Sequence, residues 1–224
     1  MILRRASTGH VTSDQWNSAR SVASLDVVAS TALFTWRVAR ANRLNELLGA
    51  HERVGGAKRG RRTETEQINW ALVLRLAAEF QGFARDLHAE GVGTFAEWAA
   101  EGNPGLERTV RTSLTVGLKL DRGNAEPGSL GDAFGRLGVD WWPALANRDE
   151  RTPMRQQQLE RLNRARNAIA HARLDELDVL RGEGYPPTLA TFRSWRGALS
   201  GLAATMDGVL ATHLSNLFGR KTPW

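Results

Sequence analysis

Ile68-Asn69-Trp70-Ala71-Leu72-Val73-Leu74-Arg75-Leu76-Ala77-Ala78-Glu79-Phe80-Gln81-Gly82-Phe83 decides the fold class of this chain. Ile68, Leu72, Leu76, Phe80 and Phe83, continued by Leu87, return every three or four residues, the spacing of one face of an α-helix. Thr63 with Glu66 forms a capping box in front of the run, and Gly91 reads as its stop. The spacing therefore predicts a helix over about 63–90. Glu79 stands in the apolar middle of that helix, either as the partner of a buried arginine or as an edge residue.

The same period extends in both directions. Upstream, Trp16, Val22, Leu25, Ala29, Leu33, Trp36, Leu44 and Leu48 predict one long amphipathic helix over about 13–48, with Thr12 and Gln15 as its capping box and Gly49 at its end. Gly55-Gly56-Ala57-Lys58-Arg59-Gly60-Arg61-Arg62 follows as a basic linker. Lys58, Arg59, Arg61 and Arg62 are candidate phosphate contacts, and a solvated connection is the competing reading.

Downstream, a short helix is expected over 94–100, capped by Thr94 and Glu97. Another is expected over about 104–120 with Leu106, Val110, Leu114 and Leu118 in register. A turn-rich segment at 121–128 leads to a short helix near 130–137 and to the packing anchor Trp141-Trp142-Pro143. Thr152-Pro153 starts a helix, with Thr152 as N-cap. A last long helix is expected over about 188–217, stopped by Gly219. No segment alternates apolar and polar residues for long, so the expected fold is an all-α bundle. Residues 1–60 form its N-terminal helical arm and linker, 61–219 the bundle and 220–224 a tail.

Composition narrows the chemistry. The 224 residues are 42% hydrophobic, enough for one substantial core. There is no cysteine, which excludes disulfides, thiolate zinc sites and cysteine nucleophiles. Met1-Ile2-Leu3-Arg4-Arg5 leads into polar residues, not an apolar signal core, and no run is long enough to span a bilayer. The expectation is a soluble cytoplasmic protein without membrane partners. The net charge of +6 agrees with an anionic partner such as RNA. Only Lys58, Lys119 and Lys221 are lysine, however, and a GC-rich genome would produce the same arginine excess without any nucleic-acid role. His10, His51, His88 and His213 show no ligand spacing, and no glycine loop fits a nucleotide, so neither metal nor cofactor is expected.

Arg164-Ala165-Arg166-Asn167-Ala168-Ile169-Ala170-His171 holds the concentrated chemistry. Arginine grips phosphate through a planar, permanently charged fork, and histidine moves protons near neutral pH. On a straight helix Arg164, Asn167 and His171 share a face, while Arg166, about 140° from His171, falls beside Leu159, Leu162 and Ile169. A charge there snorkels outward, pairs with an acid such as Glu79, or meets a second subunit. Cleavage of RNA by its own 2′-hydroxyl needs both a base and an acid, and the motif offers one histidine. Two copies across a twofold axis would supply both.

Arg166-Asn167-Ala168-Ile169-Ala170-His171 resembles the arginine–histidine signature of the HEPN superfamily. With Glu79-Phe80, Arg122-Gly123-Asn124 and Phe134-Gly135-Arg136-Leu137-Gly138, residues of roughly 60–215 look like its RiboL-PSP-HEPN branch. The resemblance implies a HEPN-like bundle and a metal-independent endoribonuclease acting as a homodimer in a toxin–antitoxin or antiviral system, with an antitoxin or defence protein as partner. Arg166 would stabilise the scissile phosphate, His171 would be the general acid and base, and Asn167 would orient the histidine or contact phosphate. Products would carry a 2′,3′-cyclic phosphate and a 5′-hydroxyl. Arg164 is the second candidate for the cation, and Glu79 a further secondary candidate. Arg173 stands where one branch of the superfamily has Tyr, two residues after the histidine, so roles tied to that Tyr are not carried over. Some members only bind RNA or a partner protein, and that remains the alternative. A helical DNA-binding regulator ranks last, because no short helix–turn–helix pair is evident.

Overall fold

The computed structural model describes residues 29–55 and 63–224. These residues form an all-α bundle with no strand among them. In chain order they are α1 (Thr31–Thr35), a π turn (Trp36–Arg40), α2 (Ala41–Gly55), α3 (Thr63–Ala100), α4 (Pro104–Thr115), α5 (Lys119–Arg122), α6 (Pro127–Gly135), α7 (Trp141–Arg148), α8 (Thr152–Ala170), α9 (Leu174–Gly182) and α10 (Leu189–Phe218). No helix among them is long and apolar enough to cross a membrane.

The long helix α3 is the centre. Leu72, Leu76, Phe80, Phe83 and Leu87 are all buried, as their spacing requires. Opposite lies α10, with Trp195, Leu199, Leu202, Met206 and Leu210 buried in the same apolar cluster. Trp36 presents its ring edge-on to Phe80, with centroids 5.8 Å apart, and so brings the N-terminal helix into that core. Trp141 is the expected anchor, stacked on Phe134 at 3.9 Å.

α3 does not stop at Gly91. It runs to Ala100 and absorbs the short helix expected over 94–100. A Cβ on Gly91 would come within 2.8 Å of Leu210 Cδ2, so this glycine lets α10 approach closely. Burial of Val92, Ala96 and Ala100 carries the helix past its weak residue. Glu101 and Gly102, both at positive φ, end it, and Asn103 then caps α4 by accepting from Gly105 and Leu106 N–H.

The N-terminal helix differs as well. Its described part begins at Thr31, with Ser30 as N-cap at ψ 156°, so no single helix covers 13–48. It also passes Gly49 and ends at Gly55. The capping box at Thr12 and Gln15 lies outside the described residues. Asp207 accepts from the Ser30 N–H and hydroxyl, and Glu90 accepts from Thr31 and Ala32 N–H at 2.9 and 2.7 Å. Two acids thus cap the positive end of the helix. Farther along, α4 ends at Thr115, because Gly117 turns at φ 74° before the buried Leu118 and Leu120. Arg151, not Thr152, is the N-cap of α8, and the Thr152 hydroxyl donates to the Leu145 carbonyl at 3.0 Å.

Arginines tie the helices together. Glu79, only 4% exposed, accepts from Arg43 at 2.6 and 2.7 Å and from Arg40 at 2.9 Å, with Arg75 at 2.8 Å. Burial pushes the Glu79 carboxyl up, but the Arg43 and Arg40 hydrogen bonds prevail and hold it below the ordinary value. Arg40 lies flat over Gly82, in a slot that any Cβ would close. Arg155 lies over Gly201 in the same way and reaches Asp149 at 2.5 Å. Asp149 also accepts the Arg151 N–H, and its carboxyl is held at about 2.

Two outcomes follow from these contacts. Glu79→Ala removes the carboxylate shared by Arg40, Arg43 and Arg75, leaving Arg40 with Asp86, and costs about 3 kcal/mol in urea unfolding. Gly197 faces open space while Gly201 cradles Arg155. Gly197→Ala therefore stabilises by about 1 kcal/mol, whereas Gly201→Ala, one turn later, destabilises by about 1 kcal/mol.

Candidate functional site

α8 buries Leu159, Leu162, Ala165 and Ala168 against the core, which leaves Arg164, Arg166 and Asn167 half-buried along its flanks. Arg166 Nη1 donates to Asn167 Oδ1 at 3.0 Å. The same oxygen accepts from Asn124 Nδ2 at 2.7 Å. One turn earlier, Asn163 Nδ2 donates to the Ala125 carbonyl at 3.0 Å. The segment after α5 is thus fastened to α8 by two asparagines.

α3 fastens the same segment from its other side. Arg85 Nε donates to the Leu120 carbonyl at 3.0 Å, and its Nη2 donates to the Asp121 carbonyl. Gln81 Nε2 donates to the Gly123 carbonyl. Between this clasped segment and α8 lies an open cavity of about 490 Å³. Lys119, Arg122 and Arg166 line it, with Glu126 as the lining carboxylate. Lys119 pairs with Asp132 at 2.8 Å, which raises its pKa. Arg122 makes no hydrogen bond or ion pair among the described residues. Ser129, in the first turn of α6, also lines the cavity, and the start of that helix has no side-chain cap.

His171 is exposed and sits just beyond the last residue of α8. Its backbone N–H closes the helix on the Asn167 carbonyl at 3.0 Å, and its ring makes no hydrogen bond among the described residues. Arg173 N–H then returns to the Ala168 carbonyl and Ala172 N–H to the Ile169 carbonyl. This is a Schellman closure, which needs a left-handed residue at Ala172. Ala172 adopts φ 55°, a position that ordinarily takes glycine. The histidine is therefore held beside a strained residue.

The other expected groups are placed differently. Arg164 does not join Asn167 and His171 in a free polar face, because Glu183 grips it at 2.9 and 3.1 Å. Glu79 belongs to Arg40, Arg43 and Arg75 and does not meet Arg166. Arg166 takes its neighbour Asn167 as partner and turns into the cavity, which His171 does not line. Lys58, Arg59, Arg61 and Arg62 lie outside the described residues. Among the described residues no three His, Asp or Glu side chains converge as a metal site.

Sequence reasoning singled out Arg122-Gly123-Asn124 only as part of a family likeness, with no role for Asn124. Its pairing with Asn167 spans 43 residues and leaves no local periodic signal. The chain matches no family model, no curated protein and no solved structure.

Relief of the strained cap is measurable: Ala172→Gly stabilises by about 1 kcal/mol in thermal or urea unfolding. Asn167→Ala frees Asn124, so amide exchange across 120–125 quickens while exchange within α3 stays unchanged.

Proposed function

We propose that this protein is a metal-independent endoribonuclease of the HEPN type, acting as a homodimer. The carrying observation is the end of α8, where an uncommitted, exposed His171 follows an arginine and an asparagine locked to each other and to the 120–125 segment. Asn167 keeps Arg166 pointing at the cavity, so this cation meets a phosphate without first having to be ordered.

The reaction supported by these groups is attack of a ribose 2′-hydroxyl oxygen on the adjacent phosphorus. A neutral His171 takes the hydroxyl proton, the P–O5′ bond breaks, and the departing 5′-oxygen takes a proton from a protonated His171. One chain brings one such histidine, so the base and the acid come from the two facing copies. Arg166 offsets charge on the phosphoryl oxygens. Products end in a 2′,3′-cyclic phosphate and a 5′-hydroxyl. A role in toxin–antitoxin or antiviral defence, with a protein partner that restrains the activity, is part of the same proposal and rests on the motif resemblance.

A second reading has its own support. His171 does not line the cavity that Arg166 lines. Within one chain, cations without an acid–base group bind RNA and do not cut it.

Cleavage of single-stranded RNA by the purified protein in excess EDTA separates the two readings. The nuclease reading expects 2′,3′-cyclic phosphate ends and a loss of about a hundredfold or more in His171→Ala, with its melting temperature retained. Undiminished cutting by that variant removes His171 from the mechanism. RNA retained but never cut establishes the binding reading.

A further inference from the structure

We propose that the cavity between α8 and the clasped 120–126 segment is a phosphate seat, with Arg122 and Arg166 as its two ligating guanidiniums. Naming the phosphate as one from an RNA backbone rests on the function proposed above. The seat itself rests on the geometry of the cavity.

Arg122 and Arg166 line one cavity, and neither has a carboxylate partner among the described residues. Arg40, Arg155 and Arg164, by contrast, are tied down by Glu79, Asp149 and Glu183. Among the described residues the partner of Arg166 is the neutral amide oxygen of Asn167, which orients the fork without neutralising it. An anion between two such forks gains charge-assisted, bidentate hydrogen bonds.

The frame around these cations is already built. Carbonyls of Leu120, Asp121 and Gly123 are held from α3, and the Ala125 carbonyl and the Asn124 side-chain amide from α8. The Leu120, Asp121, Gly123 and Ala125 carbonyls of this clasp are each committed to a side-chain donor. Preorganisation of this kind lowers the ordering cost of binding.

Size and charge select the ligand. At about 490 Å³ the space falls in the range of small-ligand sites and admits a phosphate together with its sugar. Lys119, shared with Asp132, borders the seat and adds attraction at longer range. Glu126, the lining carboxylate, limits how much anionic charge the cavity accepts. Arg122 is thus a binding residue, and Asn124 and Asn167 are positioning residues acting through the arginines.

The decisive measurement is fluorescence anisotropy with a 2′-O-methyl RNA oligonucleotide, which cannot be cut by 2′-hydroxyl attack, titrated at several salt concentrations. Arg122→Ala should weaken binding about tenfold at low salt and lower the log–log salt slope by about 0.7, one phosphate contact on a single strand. Arg108→Ala on α4, an exposed cation that does not line the cavity, serves as control and should stay within about twofold of wild type. Binding and slope unchanged in Arg122→Ala overturn the seat. If wild type binds no RNA, pyrophosphate is titrated calorimetrically. Binding that is lost in Arg122→Ala keeps the seat while the RNA reading falls, and no binding by wild type overturns both.

Discussion

A single buried carboxylate holds the geometry of this protein. Glu79 takes two guanidiniums from the N-terminal helix and one from its own helix, and it stands amid apolar side chains where an unpaired charge would not be tolerated. This fixes the azimuth of α1 and α2 on α3, because a guanidinium fork accepts a carboxylate in few orientations. The adjoining stretch of α3 also grips the candidate site: Gln81 and Arg85, two and six residues beyond Glu79, hold the carbonyls at 120–123. One helix therefore transmits its position to the N-terminal helix through anionic contacts and to the cavity wall through cationic and amide donors.

The arginine content is in large part mortar. Arg40, Arg148 and Arg155 each lie across a glycine on a neighbouring helix, at Gly82, Gly208 and Gly201. In an ordinary helix these glycines would only weaken the backbone. Here they open slots that let the guanidinium plane rest on the helix surface, while its long stem covers apolar neighbours. Arg40 and Arg155 also meet carboxylates, of Glu79 and Asp86 and of Asp149. What remains unmatched gains meaning from its place, and Arg122 and Arg166 share one cavity.

α8 joins packing to chemistry. Its alanines at 165 and 168 sit flush against the core and bring the helix close. Its asparagines at 163 and 167 reach sideways to the 124–125 backbone and side chain. Beyond Ala170 the chain closes on itself through a left-handed alanine and projects His171 into solvent. An arginine turned inward and a histidine turned outward share one short stretch, and because one chain brings one such histidine the proposed chemistry calls for two copies.

The sequence by itself determined the helical class, the buried stripe of α3, the start of α8 near Pro153 and the glycine stop at Gly219, because each depends on neighbours within a turn or two. It also determined that arginine, asparagine and histidine would stand close together. It misjudged Gly91, since a local stop signal and a close-packing glycine look alike until Leu210 arrives from more than a hundred residues away. It left Glu79 open between the partner of a buried arginine and an edge residue, and it grouped Arg164 with Asn167 and His171, for the same reason: Arg40 and Arg43 reach Glu79, and Glu183 reaches Arg164, only once distant helices have docked. Which cations stay free, and which way Arg166 and His171 face, was decided by tertiary structure alone. Ion pairing and hydrogen bonding act over a few ångströms of space, and no spacing along the chain encodes that distance.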